Sequence, residues 1–340
     1  MARYPSSLYG RRRGRPPRRT YIISALLIIA VVVAFIYRPS GKNKGGTVEP
    51  LTDANVVRET NPLVVVPPEP PEPNLSEITP ESTTDPNPKA TALITEAMVL
   101  FNAKPARIIE ARDILNDILP MPMTEQQRVF VKNRLSELAD KWLFSRTIYP
   151  QDSLCSSYRV KRGERLETIG KQSKVPWEIL SKINEVRPEV LPAGETIKVI
   201  NGPFHARVYL STFTMDLFLQ NNTFVRSFPV GLGKAGNETP TGLWRVKRDG
   251  KLIEPPWPDP VTHKVLHRGD PGYALGSRWI SLEGVKGAAK KRIGFGIHGT
   301  EEPETIGTES SRGCIRLHNG DVIFVYNLLV PVYSLVEVVK

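Results

Sequence analysis

Apolar residues are spaced in four different ways along the chain. Residues 21–37 form an unbroken apolar run, and residues 89–146 repeat apolar positions at intervals of three and four. In residues 156–201, short stretches of alternating apolar and polar residues adjoin stretches with helical spacing. In residues 203–340, apolar and polar residues alternate in short stretches that are separated by Gly and Pro. Alternation predicts strands, and the longer interval predicts amphipathic helices. The pattern therefore predicts a mainly β C-terminal domain, preceded by a small mixed α/β domain and a helical segment.

The apolar run YIISALLIIAVVVAFIY at 21–37 contains no charged residue and no proline. A helix of this length would be about 25 Å long, at the short end of what spans a bilayer core. Seven arginines and no acidic residue lie in the tail 1–20, which places that tail in the cytoplasm and the rest of the chain outside. No small-x-small site follows the run, so we expect an uncleaved anchor, with a cleavable signal peptide as the rival.

The excess positive charge is concentrated in the same tail. The formal net charge is +11, and the seven arginines account for most of it. The basic and aromatic interleaving of a nucleic-acid surface is missing, so we expect no nucleic-acid partner and interpret the tail as a topology signal that contacts anionic lipid.

A proline-rich segment, 38–88, follows the apolar run. Nine prolines lie within residues 61–88, a composition typical of an extended spacer. Residues 89–150 then predict a helical hairpin, with apolar runs from Ile108 to Ile118 and from Val129 to Trp142 and a further helix over 91–101. We see no catalytic constellation there and expect a spacer or docking element.

Residues 156–201 predict the order strand, helix, helix, strand, with turns at Gly163 and Gly194. The turn Gly163-Glu164-x-Leu166, Asn184 after the second helix and the final strand resemble a LysM module. This resemblance implies binding to glycans rich in N-acetylglucosamine, which in bacteria means the peptidoglycan strand.

Residues 203–340 predict a sheet or sandwich, with Asn221-Asn222 as a hairpin turn that accepts positive φ. Further short strands are predicted for GLWRV, SRWISL, IGFGIHG and VYSLVEVV. About 138 residues are enough for one independent core.

The chain has two cysteines, Cys155 and Cys314. Outside the membrane they could form a disulfide. Arg312 and Arg316, however, are expected to lower the pKa of the Cys314 thiol, and His298 lies sixteen residues upstream as a potential base. Spacing alone leaves a nucleophile and a buried structural cysteine about equally supported.

The local sequence favours the nucleophile over the structural cysteine, because it resembles the signature of a known enzyme family. IHGT followed by SRGCIRLHN is similar to the signature of the YkuD family of L,D-transpeptidases, as are FPVGLGK, TPTGLWRV and LGSRWISL. One departure is Arg312, where the family commonly has histidine. The signature positions are His298, Gly299, Ser311, Gly313, Cys314, Ile315, Arg316 and Asn319.

The resemblance implies a YkuD-like β-sandwich and a cysteine acyltransferase without a cofactor. Cys314 would be the nucleophile and His298 the general base and acid, oriented by a backbone carbonyl or by Ser311. Amides near Gly313 and Cys314 would form the oxyanion hole. The resemblance also implies supporting roles for Gly299, Ser311, Gly313 and Arg316. For substrate binding we expect Arg312, Trp257 and Asn319.

The implied substrate is the tetrapeptide stem of peptidoglycan, cleaved after its diamino acid with release of D-alanine. Transfer to an amine of a neighbouring stem gives a 3→3 cross-link, whereas water or a protein lysine as acceptor would make a carboxypeptidase or an attachment enzyme. The implied location is the outer side of a bacterial cytoplasmic membrane. Protein partners and oligomeric state are left open.

Two other classes compete with this interpretation. An inactive wall-binding scaffold is opposed by the intact His298, Cys314 and Arg316, and a sortase by their spacing. His263 and His267 have a metal-like spacing, but the prolines before them argue against a helix, so we expect no metal site.

Overall fold

The computed structural model describes residues 81–340. The predicted cytoplasmic tail, the membrane helix at 21–37 and most of the proline-rich spacer lie outside this range. Within residues 81–340, no helix combines the length and the apolar character needed to cross a membrane.

The segment predicted as a helical hairpin contains three helices: α1 (Pro88–Asn102), α2 (Ile108–Ile118) and α3 (Glu125–Trp142). Asn87 caps α1 by accepting from the amides of Lys89 and Ala90. Thr124 and Gln127 form a capping box at the start of α3. Both predicted apolar runs are therefore helical, and the additional helix expected over 91–101 is confirmed as α1. Their inward faces bury Ile109, Leu115, Ile118, Leu135, Leu138 and Trp142.

The next unit has the predicted order of strand, helix, helix and strand. It consists of β1 (Cys155–Arg159), α4 (Leu166–Ser173), α5 (Trp177–Asn184) and β2 (Thr196–Ile200), and β1 pairs antiparallel with β2. The predicted turn glycines have positive φ, +77° at Gly163 and +87° at Gly194. The buried Asn184 side chain joins α5 to β2, because it accepts from the Lys198 amide at 2.7 Å and donates to the Lys198 carbonyl at 2.8 Å.

The C-terminal region is mainly β, as predicted. The strands of its largest sheet are β3 (His205–Tyr209), β4 (Thr214–Leu219), β5 (Thr223–Pro229), β7 (Gly242–Ile253), β10 (Arg278–Lys286), β11 (Phe295–His298), β13 (Ile315–Arg316) and β14 (Leu335–Val339). Short strands are β6 (Leu232–Gly233), β8 (Trp257–Pro258), β9 (Val265–Leu266) and β12 (Glu309–Ser311). The turn residues Asn221 and Asn222 have φ of 57° and 53°, which confirms the predicted hairpin turn.

Eight of these strands form one mixed sheet, in the order β13-β11-β10-β7-β14-β3-β4-β5. The sheet curls until its edges meet: just beyond β5, the Gly231 amide donates to the Arg316 carbonyl of β13 at 2.9 Å, and the Arg316 amide donates back at 2.8 Å. The two layers expected of a sandwich thus belong to one continuous sheet. Bulges in the pairing of β7 with β10, near Ile280 and Gly284, assist the curvature.

The helix α6 (Asn319–Tyr326) follows β13 and is anchored in this core. Val322 and Val325 are fully buried, and the Phe324 ring lies 5.8 Å from that of Phe228 in β5 and 5.3 Å from that of Phe144 after α3. The segment that carries Cys314 is therefore held between a sheet edge and a buried helix.

Candidate active site

The parallel pairing of β11 with β13 brings the two signature segments together. Ile297 lies opposite Ile315 and His298 opposite Arg316, so Cys314 comes beside Gly296. Because side chains alternate along a strand, His298, Arg316 and Cys314 share one face. Gly296 lies on the same face beside Cys314 and carries no side chain.

The Cys314 thiol is half-buried, and its Sγ lies 3.9 Å from the Gly294 carbonyl oxygen. Burial raises the pKa of this thiol, while a hydrogen bond from the Gly296 amide and the charge of Arg316 oppose the rise. The expectation that Arg312 and Arg316 lower the pKa is therefore wrong in its net direction, because desolvation of the thiolate outweighs the one arginine that acts on it.

The His298 imidazole is buried, with 4% of its surface exposed. Its Nδ1 lies 2.6 Å from the Gly299 carbonyl oxygen, which can only accept, so Nδ1 carries the proton and Nε2 is the basic nitrogen. Burial lowers the pKa of His298 to about 4. The positive charge of Arg316 also lowers this pKa, whereas the hydrogen bond to Gly299 raises it. The ring is thus neutral at neutral pH and is oriented by a backbone carbonyl, the first of the two predicted alternatives.

Ser311 shapes the loop and does not contact His298 through a hydrogen bond. Its Oγ donates to the Cys314 carbonyl at 2.7 Å and accepts from the Gly313 amide at 3.1 Å. Gly313 has φ +107°, and a Cβ there would lie 2.7 Å from the Phe295 ring. Since the Gly313 amide is used by Ser311, it is not free to serve the predicted oxyanion hole.

Arg316 connects β13 to the loop that precedes it. Its Nη1 lies 3.2 Å from the Thr305 Oγ1 and 3.4 Å from the Glu302 carboxylate. The side chain is 14% exposed, so this pair holds the loop in place beside the thiol.

Asn319 lies at the start of α6, beneath the His298 loop. Its Oδ1 accepts from the Ser277 amide at 2.8 Å, and its Nδ2 donates to the Thr300 carbonyl at 2.9 Å. A Cβ on Gly299 would lie 2.2 Å from that Oδ1, which explains the glycine after the histidine. Both ends of the Asn319 amide are thus used by the backbone, an arrangement that supports the loop and leaves neither for a substrate.

Residues 254–273, which we call the flap, lie at the mouth of the site and contain Trp257. Strands β8 and β9 pair within it, and the Tyr273 hydroxyl donates to the Pro255 carbonyl at 2.8 Å. Arg268 connects Glu254 at its base to Glu301, at 3.7 Å, in the segment after His298. Arg312 is 49% exposed, and its Nη1 lies 3.8 Å from Asp259 of the flap.

Neither histidine of the flap lies on a helix. The His263 amide donates to the Asp259 carbonyl at 2.8 Å in a turn, and φ of His263 is 58°. Within residues 81–340, no group of three or more His, Cys, Asp or Glu side chains is arranged to hold a metal ion.

Sequence comparison agrees with this geometry. A family model described as the L,D-transpeptidase catalytic domain, YkuD, matches residues 203–338, and a LysM domain model matches residues 158–199. The putative L,D-transpeptidase YkuD of Bacillus subtilis is 31% identical over 174 residues, which cover 49% of this chain and 89% of that protein. The chain belongs to the YkuD family of L,D-transpeptidases.

Two further similarities cover a smaller share of the other protein. The probable L,D-transpeptidase YbiS of Escherichia coli K12 is 28% identical over 173 residues, or 46% of this chain and 55% of that protein. An L,D-transpeptidase structure from Mycobacterium smegmatis is 15% identical with a TM-score of 0.30, covering 43% of this chain and 64% of that one. The family membership rests on the sequence matches.

One residue of this YkuD-family site was missed by the sequence argument. Trp279 of β10 lies opposite His298, and the two rings stack with centroids 5.5 Å apart and planes 26° apart. The fragment LGSRWISL contains it, but only the register between β10 and β11 shows which ring it meets.

A cavity of ≈ 660 Å³ lies elsewhere in the molecule, between the helical segment and strands β3 and β4. Asn116, Lys132, Tyr209 and Asp216 are among its lining residues, and no residue of the YkuD signature is. The two cysteines are both free, so the disulfide considered from the sequence is not formed.

Proposed function

We propose that this YkuD-family protein is a peptidoglycan L,D-transpeptidase in which Cys314 is the nucleophile and His298 the general base. The observation that carries the proposal is the fixed tautomer of His298. With Nδ1 committed to the Gly299 carbonyl and the ring neutral, Nε2 is ready to accept a proton. Cys314 lies on the neighbouring strand with its side chain on the same face.

Acylation starts from a neutral pair. The pKa of Cys314 is raised and that of His298 is lowered, so the proton stays on sulfur at rest and moves to Nε2 as the thiolate attacks. Sulfur bonds to the carbonyl carbon of the diamino acid, and the bond from that carbon to the nitrogen of D-alanine breaks. The protonated imidazole returns the proton to the leaving amine.

Deacylation runs the same steps with a different amine. An acceptor amine attacks the thioester carbon, its proton passes to His298 and then to the departing sulfur, and the free thiol is restored. Because Ser311 uses the Gly313 amide, we assign the oxyanion contact to the Cys314 amide. The acceptor of this proposal is a neighbouring stem, which gives a 3→3 cross-link; water or a protein lysine would give trimming or attachment.

The remaining parts of the chain fit a wall-bound location. The LysM domain is proposed to hold the glycan strand, and the apolar run at 21–37 to anchor the chain in the bacterial cytoplasmic membrane with residues 38–340 on the wall side. The uncharged span and the arginine-rich tail before it support this location. The proline-rich segment would separate the catalytic domain from the lipid.

The test is mass spectrometry of purified tetrapeptide muropeptides after incubation with the whole chain. We expect a cross-linked dimer lighter by one D-alanine than its two parts. Cys155→Ala is the matched control for Cys314→Ala: the first should retain the dimer and the second should abolish it. Loss of D-alanine without a dimer would replace the cross-linking proposal by a carboxypeptidase. Unchanged muropeptides with a folded chain would favour the inactive scaffold.

A further inference from the structure

Trp279 lies at the centre of the row of side chains that crosses the site. In the ladder of β7, β10 and β11 it pairs with Leu252 on one side and with His298 on the other. Residues opposite each other in antiparallel strands project to the same face. The indole is half-buried and meets the face of the imidazole at 5.5 Å between centroids.

The same indole extends to the strand segment beside the nucleophile. An ideal Cβ on Gly296 would lie 2.8 Å from Cζ2 and 2.9 Å from Cη2 of Trp279. The six-membered ring therefore lies directly over Gly296, whose amide bonds to the Cys314 sulfur. One rigid side chain thus covers both the base and the backbone that contacts the thiol.

The hydrogen bond from Nδ1 to the Gly299 carbonyl fixes one edge of the imidazole but not the tilt of its plane. A stacked aromatic ring restricts that tilt, and its apolar face keeps water from the imidazole. A proton acceptor that is tilted away from the thiol transfers a proton less often, and small misplacements of reacting groups can cost up to about 100-fold in rate.

We propose that Trp279 is a positioning residue, which orients the His298 ring toward Cys314 and shields it from water. This role rests on the proposed function of the Cys314 and His298 pair. The indole acts through the imidazole and through Gly296, and it takes no part in bond making.

Orientation and shielding are separable by three substitutions. Trp279→Ala removes both, Trp279→Leu keeps an apolar cover without a flat ring, and Trp279→Phe keeps a smaller ring. Removal of the cover admits water to the imidazole, which favours its charged form, so the pKa of His298 should rise from about 4 toward its ordinary value. The lost attraction between the indole face and the imidazolium opposes this rise, but burial is the larger influence.

The experiment has two readouts on the whole chain. NMR titration follows the His298 ring, assigned by comparison with His298→Gln, and needs no activity. The pH profile of transpeptidation follows kcat/KM. We expect Trp279→Ala to raise the pKa of His298 by at least about one unit, to move the acidic limb of the profile upward by the same amount, and to lower kcat about tenfold or more. Trp279→Leu should lower kcat with little change in the pKa of His298. Trp279→Phe should retain most of the wild-type kcat and a pKa of His298 close to that of the wild type.

Trp177→Leu, in α5 and away from the site, should leave the pKa of His298 and the profile unchanged. The proposal is overturned if Trp279→Ala leaves the pKa of His298 in place, or if kcat of Trp279→Leu stays within twofold of the wild type while the chain remains folded. Should Trp279→Ala unfold, Trp279→Phe and Trp279→Leu decide. The wild-type chain could prove inactive while the pKa of His298 is as expected and rises in Trp279→Ala. That result would contradict the proposed function but not the shielding of His298 by Trp279.

Discussion

The two cysteines occupy comparable positions in very different surroundings. Cys155 begins the strand β1 of the LysM unit, and Cys314 directly precedes the strand β13 of the large sheet. Cys155 is 3% exposed, and burial raises the pKa of its thiol to about 12, with Lys198 and Arg112 opposing and Asp152 adding to the rise. Cys314 is half-buried, with the Gly296 amide and the Arg316 charge both favouring its thiolate.

The difference predicts unequal reactivity for the two thiols. Cys155 is fully buried at the start of a strand pair, whereas the half-buried Cys314 lies beside a glycine whose missing side chain makes room for the Trp279 ring. We therefore expect the reactivity of Cys314 to depend on its partial exposure and on the groups that favour its thiolate.

The largest contrast should appear in covalent labelling by a carbapenem, an acylating agent that we expect to react with the proposed nucleophile Cys314. Intact mass analysis should show one adduct on the wild type and on Cys155→Ala, and none on Cys314→Ala, a loss of roughly 10⁴-fold or more in rate. An adduct of equal yield on Cys314→Ala would refute the assignment of the nucleophile.

A second contrast comes from adding a side chain at Gly296. In Gly296→Ala the new Cβ would lie 2.8 Å from the Ile280 carbonyl oxygen and 2.8 Å from the Trp279 ring. We expect kcat to fall about 100-fold, because the indole and the strand must shift. The matched control is Gly320→Ala in α6, where a Cβ meets nothing within 4 Å. Equal activity of the two alanine variants would argue that the close packing of the Trp279 ring over Gly296 is unimportant.

The pH dependence of alkylation should separate the two thiols next. Since burial raises the pKa of Cys314, its thiolate fraction at pH 7 is small and iodoacetamide labelling should rise steeply as the pH passes above the ordinary thiol range. Arg316→Gln removes a charge that favours the thiolate, so labelling at pH 8 should fall about tenfold or less. Cys155 should stay unlabelled until denaturant is added, and labelling of native Cys155 at the rate of Cys314 would contradict the comparison.

The smallest effect should come from the flap contact of Arg312, which has no counterpart at Cys155. The pair with Asp259 is half-exposed, and such surface pairs contribute about 0–1 kcal/mol. Arg312→Ala should raise KM by about fivefold or less and leave kcat unchanged, and steady-state kinetics would reveal it. Arg312→His, the residue common in the family, should behave like the wild type; a large loss of kcat in either variant would place Arg312 in the chemistry.

Local patterns predicted much of this molecule. The helical runs, the strand-helix-helix-strand unit and the turn at Asn221 and Asn222 follow from spacing and capping between near neighbours. The motif around Cys314 was sufficient to name the family. What it could not give was the direction of the thiol pKa, because desolvation depends on which segments cover the sulfur.

The pairing of strands that are distant in the sequence accounts for the other differences between the prediction and the structure. Trp279 and His298 are far apart in the sequence, and only the pairing of β10 with β11 stacks them. Asn319 reads as a substrate contact in the motif, yet the folded chain uses its amide on Ser277 and Thr300. The single curled sheet likewise depends on the bridge between Gly231 and Arg316, a contact that no local sequence pattern predicts.

The closure of the sheet at Gly231 and Arg316 should also affect how fast the molecule folds. The bridge joins segments that are distant in the sequence, and β3 lies beside β14 although Arg207 and Glu337 are 130 residues apart. Contacts of such high sequence separation form late and slowly in folding. We therefore expect a partly folded chain to lack the reactive thiol, so pulsed carbapenem labelling during refolding should yield its adduct only late in folding.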